Sequence, residues 1–249
     1  YKFLTVVGSR KYTDYGRAAV EKLIQGLRGY PIVVVSGLAL GIDAIAHKAA
    51  LAAGLPTIAI PGSGLNDEVL YPASHLPLAR KILESGGALI SEFAPDFKAT
   101  PYSFPQRNRV MAGIAHATLV VEAEKISGTL ITSKHATDYN RDVLTIPGSI
   151  FSKTSEGPLM LLRLGATPIG KSEDILEALH LETRTESMKK DYSGLSETEQ
   201  IIIESLGEPI SREDLIALSG ISAQEVNTII SIMEIKGVIS EKQGKLYLQ

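Results

Sequence analysis

Residues 36–47 read S-G-L-A-L-G-I-D-A-I-A-H. An unbroken apolar run, Ile32-Val33-Val34-Val35, leads into them. The run shows no polar alternation, as expected of a strand buried on both faces of a parallel sheet. Ser36-Gly37 breaks it. After Gly41 the apolar residues Ile42, Ile45, Ala46, Ala49 and Ala53 recur at helical spacing, and Gly54 and Pro56 stop them. The unit is strand, glycine loop, helix. Backbone N–H groups at such a helix N-terminus are unpaired, and the helix dipole adds partial positive charge. This predicts a phosphate cradle on Ser36, Gly37 and Gly41. A plain tight turn in an α/β protein carries the same glycines, so the loop alone leaves both readings open.

The same alternation extends outward. Strands are expected at 3–7, 57–60, 88–90, 118–121 and 143–146, and helices at 16–29, 73–85, 107–114 and 129–139. An irregular segment at 93–105 carries four aromatics, Phe93, Phe97, Tyr102 and Phe104. Apolar strands alternating with helices predict a parallel sheet covered on both faces, with right-handed crossovers, over residues 1–180. Residues 181–193 show no period and read as a linker. Beyond them Ser196 opens a helix ending at Leu206, Ser211 caps a second, and Ser222 caps a third. That third helix buries Val226, Ile229, Ile230 and Met233 and ends at Gly237. A hairpin over 238–248 turns near Gln243-Gly244, so 194–249 read as a winged helix-turn-helix.

The 249 residues are 44% hydrophobic and 21% charged, which supports a sizeable core. The net charge of -3 announces no global basic field, so a nucleic-acid partner has to use a local patch. The chain has no cysteine, which excludes disulfides and thiolate metal sites and fits a reducing cytoplasm. No apolar run reaches membrane-spanning length and no signal peptide is visible. Tyr1-Lys2 runs directly into a strand without an initiator Met, so a longer parent chain is expected.

Ligands of open parallel sheets bind outside the carboxyl ends of the strands. Ser9-Arg10, Ser36-Gly37, Ser63-Gly64, Glu92, Phe104 with Arg107, Asn108 and Arg109, Glu122, Ser127-Gly128-Thr129 and Pro147-Gly148 stand there. Hydroxyls and glycines recur, and basic residues gather at Arg10, at Arg107 with Arg109, and at Lys134. This is a surface for phosphates. The dinucleotide pattern G-x-G-x-x-G is absent after the first strand, and no bound cofactor is expected. The histidines show no metal-ligand spacing. Asp43 and His47, four apart on one helix, are expected to share a local hydrogen bond, and Asp43 to order the loop. Arg10 has Asp14 as an alternative partner. Glu92 and Glu122 are expected to order loops. Pro105 is taken as the helix entry, which puts Arg107 in the first turn beside exposed amides. Arg109, roughly 200° round the helix, then faces away toward a carboxylate. Tyr102 and Phe104 read either as core plugs or as stacking platforms for bases.

Several stretches in order resemble one family. They are G-S-R ending at Arg10, the 36–47 stretch, G-S-G-L with Y-P at 62–72, S-E at Ser91-Glu92, F-P-Q-R-N-R at 104–109, S-G-T-L-I-T at 127–132 and R-D-V-L-T-I-P-G at 141–148. Together they resemble the DNA-processing protein A (DprA, or Smf) family over nearly all of residues 3–180. The resemblance implies an extended Rossmann-like domain that binds single-stranded DNA. It implies protection of incoming strands in natural transformation, help in loading the RecA recombinase, and a homodimer. Many members also carry a small N-terminal helical domain, for which these 249 residues show no counterpart.

The same superfamily holds nucleotide phosphoribohydrolases whose P-G-G-x-G-T-x-x-E motif supplies a catalytic Glu. Thr132 stands in that place here, so the expectation is a non-enzymatic DNA binder. A nucleotide hydrolase using Glu92 or Glu122, or a nucleotide-sensing module, is the alternative. Phosphates are expected on the amides of Gly37 and Gly128, with Arg10, Arg107 and Lys134 supplying charge and Phe104 stacking. The winged helix, with Arg212, Lys236, Lys242 and Lys245 against nine acids, is not expected to be the main DNA reader.

Overall fold

The computed structural model describes residues 1–182, 196–206, 210–236, 238–242 and 244–248. Most of the expected linker, with Gly237 and Gln243, lies outside the described residues; Leu181 itself packs on the core of the larger unit. The chain divides into two compact units, Tyr1–Thr183 and Arg184–Gln249.

The first unit is one sheet of seven parallel strands. They are β1 (Lys2–Val7), β2 (Ile32–Ser36), β3 (Thr57–Ala59), β4 (Ala88–Leu89), β5 (Ala117–Val120), β6 (Asp142–Thr145) and β7 (Thr167–Pro168). Their spatial order is β4-β3-β2-β1-β5-β6-β7. The central strand β1 pairs Leu4 with Val34 of β2 on one side and with Ala117 of β5 on the other. Alternate side chains leave opposite faces. Leu4 and Val6 join Val34 and Leu119 in one core, and Val7 joins Val35, Val120 and Met111 in the other.

Helices α1 (Asp14–Gln25), α2 (Ile42–Ala52) and α7 (Ser172–Ala178) contribute to the first core through Ile24, Ala46 and Leu176. Helix α3 (Leu76–Glu84) closes a smaller cluster with Leu38 and Ile82. Helices α4 (Ser103–Ile114), α5 (Gly128–Asp138) and α6 (Glu156–Arg163) supply Met111, Leu130 and Leu161 to the second.

Helix α1 starts before the expected Gly16 because Thr13 caps it, its side chain accepting from the Gly16 N–H. Helix α4 also starts earlier than expected. Pro105 falls within its first turn, where a missing N–H costs nothing.

The second unit holds α8 (Glu197–Ser205), α9 (Arg212–Ser219), α10 (Ala223–Ile235) and the antiparallel pair β8 (Ile239–Lys242) and β9 (Lys245–Leu248). Ser196, Ser211 and Ser222 cap the three helices as their spacing predicts. Ile210 forms an isolated antiparallel bridge with Leu246 of β9. Val226, Ile230 and Met233 are buried with Ile202, Leu215 and Leu246.

Candidate functional site

Strand order reverses at β1, with β2 and β5 leaving it in opposite directions. At the carboxyl ends of these strands, where such folds hold ligands, lies a crevice of about 420 Å³. Ser9, Arg10, Phe104, Arg107, Asn108, Gly128 and Thr129 all line it; Ser36, Gly37, Gly41 and Lys134 do not.

The 36–47 loop explains the absences. The buried Ser36 hydroxyl donates to the Val6 carbonyl at 2.7 Å and ties β2 to β1. The Gly37 N–H donates to Asp43 Oδ2 at 3.1 Å, and the Gly37 carbonyl accepts from Arg107 Nη1 at 2.5 Å. A Cβ at Gly37 would run into that guanidinium. Gly41, at φ 84°, lies so close to the Ser9 carbonyl that no side chain fits, and the Ile42 N–H donates to the same carbonyl at 3.2 Å. The first amide of α2 is thus taken by the Ser9 carbonyl, and the Gly37 amide of the loop before it by Asp43. The expected cradle on Ser36 and Gly37 is a clamp, and Gly37 is bare to admit Arg107.

Arg107 is only 4% exposed. Besides Gly37 it donates to the Ile60 carbonyl, and its Nε donates to Asn108 Oδ1 at 3.1 Å. Because α4 starts at Ser103, Arg107 lies in the second turn and points inward, which corrects the first-turn expectation. Burial lowers its pKa to about 10, against the pull of Asp43. Burial pushes the Asp43 carboxyl up, and Arg107 draws it back down. Arg109 faces outward and pairs with Glu92, as expected. Glu122 orders loops too, accepting from the Thr13 N–H at 2.9 Å and hydroxyl at 2.6 Å.

Asp43 and His47 share no hydrogen bond among the described residues. His47 Nδ1 instead meets Thr57 Oγ1 at 2.7 Å. Thr57 spends its proton on the Val34 carbonyl at 2.8 Å, so His47 is the neutral Nδ1–H tautomer. Burial, with Arg107 nearby, lowers its pKa to about 3.

The start of α5 is built differently. Ser127 caps it, accepting from the Thr129 N–H at 3.2 Å, and Thr129 Oγ1 donates to the Gly8 carbonyl at 3.2 Å. Asn108 Nδ2 donates to the Gly128 carbonyl at 3.2 Å. Open space surrounds the exposed Gly128, and its N–H has no partner among the described hydrogen bonds. Thr132, one turn on, lines the crevice with a buried hydroxyl that has no partner among the described residues. Across the crevice the exposed Arg10 guanidinium sits 5.3 Å over the Phe104 ring, which packs 5.5 Å from Tyr71. Asp14 pairs with Arg17, not Arg10. Lys134 is exposed on α5 outside the crevice.

Sequence reasoning passed over Lys11 and Tyr71 as site residues. Lys11 directly follows Arg10, which is a readable signal; Tyr71 is brought in by tertiary folding alone. The arrangement offers an open helix N-terminus, two cations and an aromatic face, and so suits an anion carrying a flat ring. Among the described residues no crevice hydroxyl bonds a histidine or carboxylate, and no cluster of His, Asp or Glu suits a metal.

The family profile described as DNA recombination-mediator protein A matches residues 1–180, and that of the DprA winged helix domain matches residues 186–245. The chain belongs to the DNA recombination-mediator protein A family. Protein Smf of Escherichia coli is 36% identical over 97% of this chain, which spans 66% of that protein's length. The X-ray structure of DprA from Streptococcus pneumoniae superposes with a TM-score of 0.67 at 39% identity, over 73% of this chain and 63% of that one. A structure of DNA processing protein A from Helicobacter pylori, described for its single-stranded DNA binding mode, gives 0.62 at 26% identity, over 72% and 80%. The chain therefore spans less than two thirds of the length of some DprA relatives. Among the described residues no single helix is long and apolar enough to cross a membrane.

Proposed function

We propose that this DprA-family chain binds single-stranded DNA in the crevice beside β1, without catalysing a reaction on it. The observation that carries this is the open N-terminus of α5 facing the Arg10–Phe104 pair across one crevice. A phosphate takes the Gly128 amide and the charge of Arg10 and Lys11, while a base lies against the Phe104–Tyr71 aromatics. Arg107 and Asn108 position the loops. Family membership supports the wider role: a cytoplasmic homodimer that protects incoming strands in natural transformation and helps load the RecA recombinase. Fluorescence anisotropy with single- and double-stranded oligonucleotides over a salt series tests the binding. Single strands should bind tighter, with log affinity falling linearly against log salt. A flat response or a preference for duplex would refute it.

The orphan hydroxyl of Thr132 favours one second reading, a mononucleotide site. Adenosine monophosphate should then displace an oligonucleotide at comparable concentration, and release of free base would reveal a hydrolase.

A further inference from the structure

The rim of the crevice continues past α5. Thr154 Oγ1, beyond β6, donates to Glu122 at the end of β5 (3.1 Å), and the Ala123 N–H donates to the Thr154 carbonyl (2.8 Å). Tyr15 Oη donates to the Pro147 carbonyl at the end of β6 (2.7 Å). With Thr13 also on Glu122, the loops after β1, β5 and β6 form one hydrogen-bonded edge. Three large apolar side chains stand out from it into solvent: Ile126 (95% exposed), Ile150 (77%) and Phe151 (92%). Ile126 also lines the crevice. Lys11, Lys125 and Lys153 are exposed along the same loops, with Glu124 and Glu156 as exposed acids, Asp14 paired with Arg17, and Glu122 held by Thr13 and Thr154.

We infer that this rim carries the strand onward from the crevice, with Phe151 as a second platform on which a base stacks. The inference rests on the DNA-binding reading above. Continuity with the crevice through Ile126, and an exposed lysine on each of the three loops, select a polyanion as the occupant. Ile126 is flanked by Lys125 and Ser127, and the adjacent Ile150-Phe151 pair by Ser149 and Ser152, as suits a strand that alternates ring and phosphate rather than a continuous protein face. From β1 to β6 is two strand spacings, roughly 10 Å, so only a strand longer than the crevice-bound part reaches Phe151.

The chain contains no tryptophan, so Phe151→Trp installs a sole reporter. Its emission should be quenched by long oligothymidylates and untouched by the shortest that bind. Phe151→Ala should weaken the long ones about fivefold, spare the short ones and melt like the parent protein. Unquenched emission with a long oligonucleotide bound, equal affinity of Phe151→Ala at every length, or an equal loss at every length would overturn the rim. A change confined to self-association, seen by sedimentation, would overturn it in favour of a second copy. Absence of any oligonucleotide binding by the parent protein would instead remove the reading on which the rim rests.

Discussion

Two helices begin on either side of β1 at the same edge of the sheet, and they treat their N-termini in opposite ways. At α2 the Ser9 carbonyl accepts from the first amide, Ile42, the Asp43 carboxylate turns back onto the loop amide of Gly37, and Arg107 locks the loop from behind. At α5 the cap is a neutral serine, no acid falls in the first turn, and Gly128 faces open space. Both have a glycine at the helix start, Gly41 as the cap of α2 and Gly128 as the first residue of α5. What separates them is a carboxylate in the first turn, which sets a negative charge beside one helix N-terminus and ties down the loop before it, and whose absence leaves the other N-terminus without a built-in anion. One end holds the fold together and the other is free to bind.

The sharpest break of this contrast is Arg107→Ala. Removing the guanidinium strands two carbonyls and the buried Asp43, and should destabilise the unit by about 3–5 kcal/mol, against under ~1 kcal/mol for Arg109→Ala at the exposed Glu92 pair. Urea melts of the two variants with similar midpoints would show that the closed end is not held this way. Gly41→Ala comes next. Its left-handed backbone alone costs about 1–2 kcal/mol, and the Ser9 contact adds to that, whereas Gly128→Ala should change stability by less than about 0.5 kcal/mol.

His47 sharpens the closed side through pH. Its folded pKa, about 3, lies below the ordinary 6.5. As pH falls from 6.5 toward 3 the unfolded chain takes a proton that the folded one refuses, so stability drops by up to about 1.4 kcal/mol per pH unit. The raised Asp43 carboxyl works in the opposite sense, since the folded state protonates it more readily. The difference between the parent protein and His47→Gln in melts across that range isolates the histidine; parallel curves would rule it out.

On the open side, Arg10→Ala should weaken single-strand binding roughly tenfold and reduce the salt slope by about one, with the melting temperature preserved. Lys134→Ala should change affinity less than about twofold. Equal losses would move the site along α5 and out of the crevice. The smallest change is expected from removing the winged helix. Arg212 is engaged by Glu241 at 2.6 Å and Lys236 by Glu199 at 2.7 Å, so these two basic groups are already paired. A chain ending at residue 182 that lost most of its affinity in anisotropy titrations would assign that domain a direct part in binding.

The parallel sheet was legible because its inner strands are apolar throughout, and the winged helix because serines sit one residue ahead of each apolar period. Residues 149–180 resisted reading. They hold α6, β7 and α7, and β7 is two residues long with a proline, too short to show a period. Asp43 was recognisable as a loop-ordering acid from its place in a first turn. Arg107 was not recognisable as a clamp, since the carbonyls it holds, Gly37 and Ile60, lie 70 and 47 residues away. Pro105 was misleading because a proline is tolerated inside a first turn as well as before one. Ser36 looked like a ligand hydroxyl because its acceptor, Val6, belongs to another strand.

The two outermost strands, β4 and β7, are each two residues long, and Pro168 in β7 has no N–H to donate. A sheet edge of that length gives an incoming backbone almost nothing to zip onto, and proline removes one of the few remaining donors. Copies gathered along one polymer reach local concentrations at which exposed strand edges nucleate fibres. The seven-stranded sheet offers neighbouring copies no such edge.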